Sequence, residues 1–394
     1  MQFQTWIARA PWELPLAAAG LFGLSLAGIA RAAELAGSGD HYFSQQVMWV
    51  VLAAATMAVV TLPSYRVLGR WSYGLFAVAI GLLVAVYFFP AVHGAHRWVR
   101  FAGLGFQPSE FAKLAYVLAL ARWLMHRENY RRLRGLMLPL LLTLVPLLLV
   151  LREPDLGTAL VFLPLLFVVL FAAGARRRDL AALFACGLAL LPLVWSQMSL
   201  EQRSRVTSLV EQSAPGEKPT ADGYQLHQAK QLLALGGVWG SVCTGAAPDD
   251  RAVYHLPESH TDFIFSVIGE RFGWGGMLGL FALYGIIVWR ACRIAGRTRE
   301  PFGRLVAVGI GALFAVQVLV NIGMTVGLLP VTGLSLPLVS YGGSGLLAHA
   351  LALGLLWNVG LRPGYEVTPE PFRFRAAGSN ARDGRSRLYA ANVR

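Results

Sequence analysis

Long apolar runs, separated by short polar and basic segments, are the dominant pattern of the chain. Each run is apolar on all sides over a helical length, and a hydrocarbon core about 30 Å thick needs roughly 20 mostly apolar residues per spanning helix. The pattern therefore predicts an all-α integral membrane protein with ten transmembrane helices. They cover residues 14–33, 47–62, 72–92, 109–125, 135–151, 156–173, 180–194, 263–289, 305–329 and 342–359.

Two segments depart from this pattern of short connections. Residues 196–261 are mostly polar and form a long loop between helices 7 and 8, and connections of this length are usually functional or disordered. Within the loop, Leu226, Ala229 and Leu232 recur at helical spacing, which fits either a helix on the membrane surface or one packed against other loop residues. Residues 362–394 lack periodicity and predict a flexible cytoplasmic tail behind a polytopic membrane domain of residues 1–361.

Composition excludes a soluble globular protein and explains the charge. Of the 394 residues, 56% are hydrophobic and 14% are charged, against roughly 25% charged in soluble domains. The net charge of +13 resembles that of a nucleic-acid-binding protein. With the amino terminus placed inside, however, 22 of the 34 Lys and Arg residues fall on the cytoplasmic side. Because cytoplasmic loops hold the excess of basic residues, the charge orients the helices and predicts no nucleic-acid partner. Both termini are expected in the cytoplasm, and the long loop outside.

The few charged residues at the outer ends of the helices are candidates for chemistry, since a charge at the centre of a membrane costs about 3 kcal/mol. Glu110 and Lys113 lie three residues apart on one helix face, which fits a simple ion pair or a functional pair. Arg97 and Arg100 flank Trp98 in an outward loop. These side chains fit interfacial anchors, but paired arginines also suit a phosphate-bearing ligand.

Two further outer segments contain carboxyl groups that are candidates for chemistry. In REPDLGT, Asp155 precedes an apolar helix, where it fits an N-cap, a site residue or both. In HLPESHTDFIF, Glu258, His260 and Asp262 come directly before the eighth span. Asp262 fits a cap, a general base tuned by its neighbours, or a ligand of a divalent ion. The residues together predict an outward cavity with cations and carboxylates, suited to a transporter or to an enzyme acting on a lipid-linked anionic substrate.

Five sequence motifs, taken in order along the chain, resemble the motifs of a known protein family. They are RWVRFAGLGFQPSEFAKL, EPDLGTAL, GYQLHQA, LPESHTDFIFSVIGE and NIGMTVGLLPVTGLSLPLVSYGGSG. The chain resembles the SEDS family of bacterial envelope proteins (RodA, FtsW and SpoVE), and its motifs look more like those of RodA. The resemblance covers nearly the whole chain, from the first span to Val359. One departure is QAKQLLALGGVWGSVCTG in the outer loop, which holds fewer glycines than the family pattern.

The resemblance implies a peptidoglycan glycosyltransferase of the bacterial cytoplasmic (inner) membrane that serves cell elongation and shape maintenance. Such an enzyme polymerises lipid II, a disaccharide carried on undecaprenyl diphosphate, at the outer face. Its implied partners are a class B penicillin-binding protein, which is a transpeptidase, together with the lipid II substrate and membrane lipids. Two alternatives are a lipid II flippase and a non-enzymatic scaffold of the elongation complex.

The resemblance also assigns roles to residues. Asp262 is the implied catalytic residue, which takes the proton from the acceptor sugar, and Lys113 and Asp155 are implied to be required. Because the charge of a leaving diphosphate must be compensated, we expect Lys113, Arg97 and Arg100, together with Asp155, to bind the substrate and its diphosphate. The expected supporting residues are Glu110, Glu258 and His260. A divalent cation, Mg²⁺ or Mn²⁺, at Asp262 and Asp155 is left open as a cofactor.

Overall fold

The computed structural model describes residues 10–36, 41–90, 96–101, 104–126, 133–198, 200–211, 221–245, 256 and 258–364. Helices follow one another along the chain, with a single two-stranded sheet among the described residues. In chain order the elements are α1 (Glu13–Ala36), α2 (His41–Val59), α3 (Tyr65–Ala85), β1 (Val99–Phe101), β2 (Leu104–Phe106), α4 (Pro108–Leu124), α5 (Leu133–Arg152), α6 (Leu156–Ala173), α7 (Arg177–Gln197), α8 (Leu200–Glu211), α9 (Ala221–Gly236), α10 (Ser241–Thr244), α11 (Ile264–Arg297), α12 (Pro301–Val326) and α13 (Gly343–Leu361). A 3₁₀ turn, Val86–Phe88, extends α3.

Each predicted span coincides with a helix. Within the described ranges, eight helices are long and apolar enough to cross a membrane, and they are α1, α2, α3, α5, α6, α11, α12 and α13. The other two predicted spans fall on α4, which has 17 residues, and on α7. The prediction of an all-α membrane protein is confirmed, whereas the count of ten spans stays a prediction. The predicted tail lies outside the described residues beyond Gly364, so its separation from the membrane domain also stays a prediction.

Local sequence explains where the central helices begin and end. Asp155 caps α6 with its side chain, and Gly174 ends α6 in the left-handed conformation. The helix α12 begins at Pro301, whose fixed φ suits a first helical turn, and it ends at Gly327, which is again left-handed.

Helices α4 and α12 form the centre of the bundle. The helix α12 packs against α11, α6 and α4, and α4 also packs against α3. Nearly every residue of α4 between Ser109 and Ala121 is buried, including Glu110 and Lys113. Because α4 is enclosed on all sides, its charged residues face other helices and not lipid.

The outer-loop helix α9 packs against α11. Leu226, Ala229 and Leu232 are buried in the same hydrophobic core as the membrane helices. The apolar face of α9 therefore covers a membrane helix, a contact that neither sequence interpretation of these residues included. The contact is close: a Cβ atom on Gly236 would lie 2.0 Å from Gly269 O.

Helix α11 is broken at Gly273, directly beside this contact. Gly273 has φ 60° and ψ −151°, which are not helical values. The N–H of Trp274, freed by the break, donates to Val238 O at 3.2 Å. The loop segment after α9 therefore replaces a helical hydrogen bond of α11. The close approach of the loop to α11 also requires glycine at position 240, where an added Cβ would lie 2.4 Å from Arg271 O.

Candidate active site

The turn between α5 and α6 provides the first part of the site. Asp155 Oδ1 accepts from Thr158 N at 3.1 Å, so its predicted N-cap role is confirmed. Asp155 Oδ2 faces Gln107 Nε2, at the start of α4, at 3.5 Å. The cap orients Asp155 and leaves its second oxygen close to the outer ends of both helices.

Glu153, two residues earlier in REPDLGT, is a further site residue, to which no role was assigned from the sequence. It is fully buried, and neither carboxyl oxygen has a hydrogen-bond partner among the described residues. Burial raises the pKa of Glu153 to about 8, and the nearby charge of Asp155 acts in the same direction, while Arg97 opposes both. Glu153 is therefore a neutral acid at pH 7. Its position beside Pro154 in EPDLGT was the only sequence signal.

Arg97 lies against this turn. Its Nε donates to Glu153 O at 3.1 Å, and its Nη2 donates to Pro154 O. These two bonds fix the guanidinium group on the backbone beside Glu153 and Asp155. Arg100 lies in β1 and pairs with Gly105 of β2, and its side chain lies outside the described part of the structure.

Asp262 lies in the turn before α11, and its backbone carbonyl accepts a hydrogen bond that fixes its position. Asn321 Nδ2, from α12, donates to Asp262 O at 2.8 Å and to Leu334 O at 2.7 Å. Asp262 Oδ2 packs against Gly333, where an added Cβ would lie 3.3 Å from the oxygen. The cap interpretation of Asp262 is wrong, because Phe263 is the N-cap of α11 and has no side-chain cap bond.

The environment of Asp262 makes it a weak acid. Burial raises the pKa of Asp262 to about 7, with further contributions from Glu258 and Asp155, while Arg97 and Arg205 act in the opposite direction. Arg205, in α8, had no role in the sequence interpretation. A carboxyl group with this pKa is suited to accept a proton near neutral pH.

The loop between α12 and α13 joins the two carboxylate segments. Gly157, in the first turn of α6, packs so tightly on this loop that an added Cβ would lie 2.8 Å from Thr332 O. The next loop residue, Gly333, contacts Asp262. Asp155 and Asp262, which are 107 positions apart in the sequence, therefore belong to one site.

Glu258 and His260 support the turn that carries Asp262. Asp262 N donates to Glu258 O at 3.1 Å, and Thr261 Oγ1 donates to Glu258 Oε2 at 3.0 Å. The His260 ring packs against Tyr42 and Tyr341, with ring centroids 4.7 Å and 5.4 Å away. Burial lowers the pKa of His260, so at neutral pH it is an uncharged packing residue.

Glu110 and Lys113 form the predicted ion pair inside the bundle. Lys113 Nζ lies 2.7 Å from Glu110 Oε1, and both side chains are buried. Gln107, three residues before Glu110, connects the start of α4 to Asp155. Lys113 thus lies in the second turn of α4 with its side chain buried, and its role toward a diphosphate stays a prediction.

The described residues do not fit a metal site formed by protein ligands alone. Among them, no three or more His, Cys, Asp and Glu side chains are grouped as they would be around a metal ion. The divalent cation therefore stays a prediction, and no catalytic step below passes through it.

Together these elements define the class: an integral membrane protein with carboxyl groups and a fixed guanidinium gathered at one end of its bundle. The chain belongs to the FtsW/RodA/SpoVE family, whose model, described as "Cell cycle protein", matches residues 12–362. It is a multi-pass protein of the bacterial inner membrane.

Curated relatives and solved structures agree with this assignment. The chain is 38% identical over 313 residues to "Peptidoglycan glycosyltransferase MrdB" of Escherichia coli K12, covering 79% of this chain and 83% of MrdB. It is 35% identical over 327 residues to "Probable peptidoglycan glycosyltransferase FtsW" of Trichlorobacter lovleyi, covering 82% and 84%.

Two solved structures share the fold. One is described as "Structural coordination of polymerization and crosslinking by a peptidoglycan synthase complex"; it has a TM-score of 0.76 and 33% identity, with 89% of this chain and 97% of that chain covered. The rod shape determining protein RodA of Thermus thermophilus has a TM-score of 0.66 and 31% identity, with 91% and 98% covered.

Proposed function

We propose that the chain is a peptidoglycan glycosyltransferase that polymerises lipid II at the outer face of the membrane. The observation that carries the proposal is Asp262. Its carboxyl group has a pKa of about 7, its backbone is held by Asn321, and the charge of Arg97 acts on it, in a chain whose relatives are named for this activity. Service in elongation, as opposed to division, stays a prediction.

In the proposed reaction Asp262 acts as the general base. It takes the proton of the 4-hydroxyl group of the acceptor sugar, and the hydroxyl oxygen attacks the anomeric carbon of the donor. The bond from that carbon to the diphosphate oxygen breaks, the carbon inverts, and undecaprenyl diphosphate leaves with the electron pair. The proton on Asp262 then passes to solvent.

The leaving diphosphate gains negative charge, which cations in a water-poor site stabilise. Arg97 suits this task because its backbone bonds to the α5–α6 turn hold its guanidinium group in place before substrate binds. Lys113 is the second cation, and it must leave Glu110 to reach the substrate. Asp155 orients the start of α6 and the Gln107 side chain.

A class B penicillin-binding protein is the proposed partner. The complex among the structural neighbours is described as coordinating polymerisation and crosslinking. A crosslinking enzyme on the same face of the membrane would receive the strands as they form.

The test is glycan synthesis by the purified chain, with its partner, from labelled lipid II. Asp262→Asn keeps the shape of the side chain and removes the base, so strand formation is expected to fall roughly 100-fold or more. Glu34→Gln, in the last turn of α1 with a side chain that is 58% exposed, is the matched control and should remain active. Equal strand formation by the Asp262→Asn variant contradicts the proposal, as does lipid transfer across vesicles without any strands.

A further inference from the structure

His349 faces the same carboxyl group that holds Lys113. It lies in the second turn of α13, and its Nε2 is 3.7 Å from Glu110 Oε2. His349, Glu110 and Lys113 are all buried. Glu110 Oε1 is paired with Lys113, whereas Oε2 has no hydrogen-bond partner among the described residues. One oxygen of Glu110 therefore belongs to Lys113, and the other is open toward His349.

The surroundings of the His349 ring suit two protonation states. Its Nδ1 lies 2.6 Å from Gly345 O, and its Nε2 lies 2.6 Å from Gln317 Oε1. Oxygen acceptors at both nitrogens can hold an imidazolium, because a neutral imidazole carries a single N–H and would use only one of them. In this arrangement Gln317 Nε2 has no hydrogen-bond partner among the described residues. Turning the Gln317 amide by half a rotation presents this donor to the ring and suits the neutral form.

Lys113 has two competing tasks if the proposed function holds. In the structure it neutralises Glu110, and during the reaction it has to neutralise a diphosphate. Removing Lys113 from Glu110 would leave a buried carboxylate without a countercharge, which is strongly unfavourable. A second cation beside Glu110 would remove this obstacle.

We propose that His349 is a positioning residue that takes up a proton and holds the charge of Glu110 when Lys113 turns to the diphosphate of the substrate. The proton comes from solvent and returns to it when Lys113 pairs with Glu110 again. This inference rests on the proposed function. The charged groups that face His349 are Glu110 and Lys113 of α4, while α12 contributes the neutral Gln317 and the ring of Phe314, whose centroid is 5.8 Å away.

The inference predicts that binding of a diphosphate-bearing lipid is linked to proton uptake. The linkage makes the affinity fall about tenfold per pH unit between the pH at which His349 loses its proton in the free protein and the higher pH at which it loses it in the complex. A residue that only fills space in the bundle would not change the number of protons taken up.

The experiment compares the full-length chain with His349→Gln, both in complex with the partner. Undecaprenyl diphosphate is titrated calorimetrically in two buffers of different ionisation enthalpy, and KM and kcat for lipid II are measured in parallel. On binding undecaprenyl diphosphate, the unsubstituted chain (the parent) is expected to take up about one proton more per bound lipid than His349→Gln does. KM should rise about tenfold in the variant, with a smaller change in kcat.

Thr143→Val is the matched control, because it removes a buried hydroxyl that bonds to Tyr116 and Pro139 O and has no contact with Glu110. It should keep the proton uptake of the parent. If His349→Gln does not fold, Gln317→Leu is expected to lose the extra proton in its place. If the unsubstituted chain and a folded variant take up equal numbers of protons, the role of His349 is overturned and the proposed function is not affected. If the unsubstituted chain makes no strands from lipid II, the proposed function itself is overturned.

Discussion

Environment separates four carboxyl groups at the outer end of the bundle into different roles. Glu258 is exposed, and Asp155 is used as a helix cap. Glu153 is fully buried and Asp262 is half-buried, and the loss of water around each carboxyl group raises its pKa, to about 8 for Glu153 and about 7 for Asp262. All four are ordinary acids in the sequence, so the distinction comes from what surrounds each side chain.

The pKa of Asp262 predicts the pH dependence of strand synthesis. A general base works in its ionised form, which is depleted below the pKa. The rate is expected to rise about tenfold per pH unit up to about pH 7 and to level off above it. Steady-state synthesis from lipid II over this range checks the prediction. A rate that falls between about pH 6 and pH 7 contradicts it.

Glu153 predicts how stability depends on pH. Its pKa is raised from the usual 4.5 to about 8 in the folded chain. The folded state then binds a proton that the unfolded state releases above about pH 4.5, so stability is lost as pH rises from there to about 8. Glu153→Gln keeps a neutral side chain and should be more stable at pH 8 by on the order of a few kcal/mol.

Thermal unfolding in detergent, measured at about pH 5 and pH 8, checks the Glu153 prediction. The difference between parent and variant should grow with pH. A difference of the same size at both pH values would show that Glu153 does not carry the proton.

At the scale of the helices, the break in α11 is the feature that depends most on one residue. Gly273 occupies a backbone region that is essentially restricted to glycine. It also contacts the outer loop, since an added Cβ would lie 2.5 Å from Val238 O and 2.6 Å from Gly240 N. Both the φ angle and the close approach therefore require the absence of a side chain.

Gly273→Ala is expected to destabilise the folded chain by about 1–3 kcal/mol or more, because strain and a steric clash add. Gly285→Ala, at a position of the same helix with nothing within 4 Å of the added Cβ, is the control and should be neutral or slightly stabilising. Thermal unfolding in detergent compares them. Equal melting temperatures for the two variants would contradict the role of the break.

At the scale of the whole molecule, two ion pairs between α1 and α11 bracket the membrane. Glu13 pairs with Arg290 at one end, and Arg31 pairs with Glu270 at the other, with 2.7 Å between Arg31 Nη2 and Glu270 Oε1. At 1.5 Å per residue the pairs are about 27 Å apart along α1, which is helical throughout this stretch. This spacing matches a hydrocarbon core of about 30 Å and places Asp262 beyond the outer pair, at headgroup level.

Native cysteines test the orientation. Cys243 lies in α10 and Cys292 near the basic end of α11, and both are exposed. In spheroplasts of cells with single-cysteine variants, a membrane-impermeant maleimide should label Cys243 directly and Cys292 only after permeabilisation. The reverse order would invert the topology. A cysteine-free variant provides the background signal.

The sequence by itself determined the helices, their family and the identity of most candidate site residues. All-round apolar runs have few alternatives in a membrane, where every backbone group must be bonded within the helix. The cap at Asp155 and the Glu110–Lys113 pair were also readable, since each depends on residues three positions apart.

Only the tertiary structure decided which distant polar groups meet. Asn321 holds the backbone of Asp262, and His349 approaches Glu110, across long stretches of chain. The burial of Glu153 likewise depends on the packing of the helices around it. The packing of α9 on α11 was not predicted for the same reason, because an apolar helix face is equally suited to lipid and to protein. Periodicity shows which face is apolar, and packing alone decides what covers it.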